Sequence, residues 1–122
     1  MSSAPIFYLC ASSDAVTQLL GTNPTRLYPF GQAPQNVAKP YAVWQVIGGN
    51  PDNYMSDRPD TDMFSLQIDV YAESGSSATD VGDAIRFAIE LDAYTTSYNG
   101  DSRDEQTGHY RHSFDVDWIV TR

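Results

Sequence analysis

Phe64, Leu66, Ile68, Val70 and Ala72 occupy every second position of one stretch, with Ser65, Gln67, Asp69, Tyr71 and Glu73 between them. That period of two predicts a strand over Met63–Glu73 with one buried and one wet face. The run Ser74-Gly75-Ser76-Ser77 supplies a turn and a capping hydroxyl, and Asp80 stands at capping-box spacing from Ser77, so a helix is expected over Ser77–Leu91. Val81, Ala84, Ile85, Ala88 and Ile89 share one helical stripe, opposite Asp83, Arg86 and Glu90. Gly82 interrupts this helix at a cost of about 1 kcal/mol relative to Ala. Close approach of helix to sheet is the expected reason for it.

The remaining elements follow from the same two periods. Pro5 to Leu20 reads as one helix or two short ones: Pro5 suits a helix start, Ser12-Ser13-Asp14 marks an interruption or second cap, and Gly21 ends it. The proline-rich segment from Thr22 to Pro40 is expected to be an ordered connector, with Arg26-Leu27-Tyr28 pairing briefly at a sheet edge. Tyr41–Ile47 is apolar on both sides and reads as an interior strand ended by Gly48-Gly49. Gly48–Asp62 has no hydrophobic period and reads as a long loop. Tyr94–Tyr98 reads as a short strand and Asn99-Gly100 as a turn. Arg111–Thr121 alternates cleanly, His112, Phe114, Val116, Trp118 and Val120 against Ser113, Asp115 and Asp117. The expected fold is therefore α+β: a mainly antiparallel sheet of Tyr41–Ile47, Met63–Glu73 and Arg111–Thr121, covered by the Ser77–Leu91 helix and an N-terminal helix. Its core is expected to hold Val43, Trp44, Leu66, Ile68, Val70, Val81, Ile85, Ile89, Phe114, Val116 and Trp118.

At 122 residues the chain suits one domain, spanning 1–122. The start MSSAPIFYLC lacks a basic region and a cleavage site, and no apolar run reaches membrane-spanning length, so a soluble chain made in a cytoplasm is expected, with no membrane partner. The single Cys10 excludes an internal disulfide, and its neighbours Tyr8 and Leu9 predict a buried thiol. Charge changes the picture more. Residues 1–50 hold Arg26 and Lys39 against Asp14, whereas residues 51–122 hold five Arg against fifteen acids. A chain of that balance lacks the basic footprint of a nucleic-acid binder.

Candidate chemistry is sparse. His109 and His112 are three apart in or beside a strand, which puts them on opposite faces, the wrong arrangement for a shared metal. No Gly-x-Ser-x-Gly elbow and no phosphate cradle with its Lys is present. Asp52, Asp57, Asp60 and Asp62 invite a metal reading but lack calcium-loop spacing and the closing Glu. Asp115 and Asp117 share a strand face and could act as a paired acid and base, or simply be solvated. No catalytic residue, cofactor or metal site is assigned.

The order of these signals resembles a known family. The N-terminal helix, the segment LYPFGQAPQNVAKPYAVWQVIGGNP, the strand-helix unit FSLQIDVYAESGSSATDVGDAIRFAIE and the closing YRHSFDVDWIV are together similar to the tail-completion proteins of long-tailed bacteriophages, also called tail terminators or head-to-tail joining proteins and similar to the lambda-type minor tail protein U. Tyr28-Pro29 followed by Pro34 and Pro40-Tyr41, and the core Gln67-Ile68-Asp69-Val70-Tyr71, carry the likeness most specifically. The resemblance implies a structural virion protein of the tail or neck. It implies a homohexameric ring that caps the finished tail tube, with the tube protein and a head-completion or connector protein as partners, DNA passing through without specific binding, and no catalysis or cofactor. Two expectations join it to the residues. Asp52, Tyr54, Asp57, Arg58 and Asp60 are candidate interface residues, and Asp69, Asp115 and Asp117 are candidate lining of the ring's bore. The competing readings are a small metal-dependent hydrolase using the Asp52–Asp62 segment or the histidines, and a ligand-binding α+β module.

Overall fold

The alternating stretch becomes the middle of a five-stranded sheet, covered on one face by three helices. The computed structural model describes residues 5–22, 25–35, 37–54, 57–91, 93–103 and 108–121, with the backbone alone for 49–54, 57–63 and 119–121. In chain order the elements are α1 (Ile6–Ala11), α2 (Asp14–Leu20), β1 (Leu27–Pro29), β2 (Tyr41–Tyr54), β3 (Asp57–Ala72), α3 (Gly75–Ile89), β4 (Ala93–Arg103) and β5 (Tyr110–Thr121). The sheet order is β1-β2-β3-β5-β4. Only β1 on β2 is parallel; every other pair is antiparallel. The α+β expectation holds, and so does the choice of the three principal strands.

The core lies between sheet and helices. Leu66, Ile68, Val70 and Ala72 of β3 and Phe114, Val116 and Trp118 of β5 meet Val81, Ile85 and Ile89 of α3, all buried. Ile6, Cys10, Val16 and Leu20 seal it from the N-terminal side. The interruption read at Ser12–Asp14 does split the first helix: Ser13 caps α2, its Oγ accepting from the Val16 N–H at 3.5 Å. The connector is anchored by Arg26, which donates from Nε to the Pro40 carbonyl at 2.9 Å and from Nη2 to the Leu19 carbonyl at 3.1 Å. One guanidinium thus ties α2 to the start of β2.

Several sequence expectations need correction. Gly48–Asp62 is no loop: β2 and β3 continue as a hairpin, paired to Tyr54↔Asp57. Gly48-Gly49 only accommodates a bulge beside Ile47, where the register slips between Val46 and Gly48. Backbone pairing holds this extension, and Val46, Ile47 and Gly48 beside it are exposed, so it leaves no hydrophobic period to read. Asn99-Gly100 is also not a turn. β4 runs through it with a bulge between Tyr98 and Gly100, and Gly100 takes φ 92°, the left-handed conformation that a hairpin turn and a glycine bulge both require.

Two core boundaries shift as well. Val43 points to the helix-free face beside Asp69 and is only half-buried; Ala42 is buried in its place, with Trp44 packed at the core margin. β2 is interior only where β1 reaches it, Ala42 to Trp44. α3 starts earlier than expected, capped by Ser74, whose Oγ accepts from the Ser77 N–H at 3.1 Å. Ser77 is the donor there, not the cap.

Candidate functional site

With all three helices on one side, the other face of the sheet carries one chain and two pairs of hydrogen-bonded polar side chains. Gln45 Nε2 donates to Gln67 Oε1 at 3.1 Å, and Gln67 Nε2 donates to Ser113 Oγ at 3.2 Å. From the far edge, Asn99 Nδ2 donates to the same Ser113 oxygen at 3.3 Å and to Asp115 Oδ1 at 2.8 Å. Ser65 Oγ donates to Asp117 Oδ1 at 2.7 Å, and Arg111 Nη2 to Asp69 Oδ1 at 3.1 Å. The chain of bonds crosses β2, β3, β5 and β4, the four long strands. Cross-strand pairs of this kind fix both register and side-chain direction.

The three acids expected on this face are therefore brought together and individually held. Asp69 is compensated by Arg111, which leaves Asp115 and Asp117 as carboxylates without a cation among the described contacts. Tyr71 closes this end of the face, stacked on Tyr41 at 5.1 Å between ring centroids, with Lys39 5.6 Å above the Tyr41 ring. Burial raises the phenols of Tyr41 and Tyr71 above their ordinary value, and for Tyr71 the nearby Asp69 adds to the rise. Sequence reasoning missed Arg111, Asn99 and Gln45. The first was legible, since Arg111 stands two and four residues before Ser113 and Asp115 on the same alternation. Asn99 was hidden by the bulge.

Asp52, Tyr54, Asp57, Arg58 and Asp60 all fall at the distal end of the β2–β3 hairpin, Asp52 opposite Thr61 and Tyr54 opposite Asp57. Their side chains lie outside the described ones. Among the described residues no cluster of three or more His, Cys, Asp or Glu is placed to hold a metal.

On the helix-covered face, His112 is buried at the start of β5, its Nδ1 2.5 Å from Asp101 Oδ1 on β4. Gly82 of α3 lies directly over it: a Cβ there would come within 2.6 Å of His112 Cδ2. This close approach explains the helical glycine. Cys10 is wholly buried, and desolvation pushes its thiol up to about 12. A thiol so held is no nucleophile at neutral pH. Where the end of α3 leaves the sheet, Arg86, Ile89, Glu90, Ala93, Tyr94, Thr95 and Val116 line a cleft of about 220 Å³. The Arg86 guanidinium lies 5.3 Å from the centroid of the Tyr98 ring above it.

A one-layer sheet with helices on one side and an ordered polar network on the other defines a small α+β structural module. The chain belongs to the tail completion protein gp17 family, whose pattern it matches over residues 4–121. That membership gives it a structural part in a phage-type tail. No curated protein sequence matches it. The fold is shared by a chain from the virion of a native gene transfer agent particle, at TM-score 0.75 and 12% identity, covering 96% of this chain and 92% of that one.

Proposed function

We propose that this protein closes the completed tail tube as a ring of identical copies, ending tube growth and presenting the surface to which the head is joined. The observation that carries this reading is the sidedness of the sheet: every helix packs on one face, and the other bears cross-strand groups of hydrogen-bonded polar side chains that include Asp69, Asp115 and Asp117. In a ring with that face inward, Asp115 and Asp117 repeat around the bore. Packaged DNA passes such a wall without being gripped, because salt-sensitive affinity for phosphates comes from Lys and Arg. The distal end of the β2–β3 hairpin, with Asp52, Tyr54, Asp57, Arg58 and Asp60, then contacts the tube or a neighbouring subunit. Homohexameric closure and the joining protein on the head side belong to the same proposal.

Polymerising tail tube protein, with and without this chain, tests the reading. Tubes of limited length carrying a ring at one end are expected in its presence; tubes of unchanged length with bare ends would overturn the capping role. For the bore, replacing Asp115 and Asp117 by Lys is expected to leave joined particles intact and to slow DNA ejection at low salt. Unchanged ejection kinetics would remove these residues from the bore. Arg58→Glu is expected to weaken assembly with the fold intact, read as loss of capped tubes at an unchanged melting temperature.

A further inference from the structure

Large apolar side chains are left exposed in three places: Phe7 and Tyr8 on α1, and two groups at opposite flanks of the sheet. On the β1–β2 flank, Phe30 is 69% exposed and Val46 and Ile47 are 59% and 48% exposed. They are neighbours, since the Phe30 N–H donates to the Trp44 carbonyl at 2.8 Å where β1 ends and the outer edge of β2 becomes free. On the other flank, Phe87 and Leu91 at the end of α3 and Tyr94 and Tyr98 on β4 are all more than half exposed. Of these only Tyr94 lines the cleft, together with Arg86, Ile89, Glu90, Ala93, Thr95 and Val116, while Tyr98 stands against the Arg86 guanidinium.

We propose that the two flanks are the two halves of one interface between copies of this chain, with Phe30 of one copy seated in the α3–β4 cleft of the next. The proposal rests on the ring reading above and says how the ring is built. Three features commit it to this occupant. First, charge: residues 25–48 hold Arg26 and Lys39 and no acid, Asp52 following further along β2, whereas residues 80–103 carry Asp80, Glu90, Asp92 and Asp101 against Arg103, with Asp83 and Arg86 paired to each other. Flank against opposite flank is attractive, and the α3–β4 flank against itself brings acid to acid. Second, shape: a cleft of about 220 Å³ admits one aromatic ring, a cavity of about 150 Å³ being enough for benzene. Arg86, already over Tyr98, has its buried Nε without a partner and presents a guanidinium to an entering ring. Third, symmetry: two different patches that fit each other give a head-to-tail contact, which closes into a ring when the rotation per copy allows. Seated aromatic anchors of this kind dominate interface energetics.

Cysteine pairs test the contact without asking the fold to change, because Phe30 and Tyr94 are exposed and Cys10 is buried and unreactive. Phe30→Cys and Tyr94→Cys are made singly and together in the full chain and treated with a short bis-maleimide. The double variant is expected to give a ladder of covalent oligomers ending at the ring size. A mixture of the two single variants is expected to stop at dimers, and each single variant alone to stay monomeric. Dimers from a single variant alone would mean a two-fold contact and overturn the proposal. So would rings seen by native mass spectrometry or end-on imaging without any ladder, and that outcome leaves the ring reading standing. Absence of any assembly, free or on tube ends, overturns both. Phe30→Asp, with the melting temperature of the parent, is expected to abolish the ring.

Discussion

Gly82 and His112 show how one missing methyl sets the spacing of two layers. A Cβ on Gly82 would lie 2.6 Å from His112 Cδ2 and 2.9 Å from Nε2, and the imidazole is hemmed in by Phe114 and held at Asp101. Gly82→Ala improves helix propensity by about 1 kcal/mol but overpacks the core, so a net loss of about 1–2 kcal/mol is expected. In a His112→Ala background the same substitution should become neutral or stabilising, which urea unfolding of the four proteins measures. Cys10 gives a second expectation. Its thiol ionises near 9.0 when free and near 12 when buried, so the folded chain holds this proton more tightly. Its contribution is complete below pH 9 and is lost as the pH rises toward 12, with Tyr41 and Tyr71 shifted in the same direction. Melting temperature should fall over that window, and less steeply in Cys10→Ala.

At the scale of elements, burial decides what could be read from the chain. β3, α3 and β5 each have one face in the core, and their periods were plain: Ile68 and Ile85 were assigned inward and are fully buried. Ile68→Ala or Ile85→Ala should cost about 2–5 kcal/mol by chemical denaturation. A variant that melts like the parent would refute the packing. What the sequence did not show were the hairpin beyond Gly48 and the full length of β4. The sequence beyond Gly48 carries no hydrophobic period, nor does that of β4, which is almost wholly exposed, and Gly100 looks alike in a turn and in a bulge. The open-face acids were legible because alternation assigns faces. Their hydrogen-bond partners were not, because partners depend on inter-strand register, which a single sequence leaves open. Ser113 receiving from both Gln67 and Asn99 is the clearest case.

For the whole molecule, the sheet order β1-β2-β3-β5-β4 places its one long-range seam at the centre. β2 with β3, and β4 with β5, join strands that follow one another along the chain; β3 meets β5 only across α3 and β4. Closing short loops is entropically cheap and fast, so each half can form early, while the β3–β5 seam must wait for the larger closure. α3 packs over both strands of that seam. Refolding after dilution from denaturant should therefore be limited by zipping of β3 to β5 under α3: Ile85→Ala should slow refolding, whereas Asn99→Ala at the sheet edge should mainly hasten unfolding.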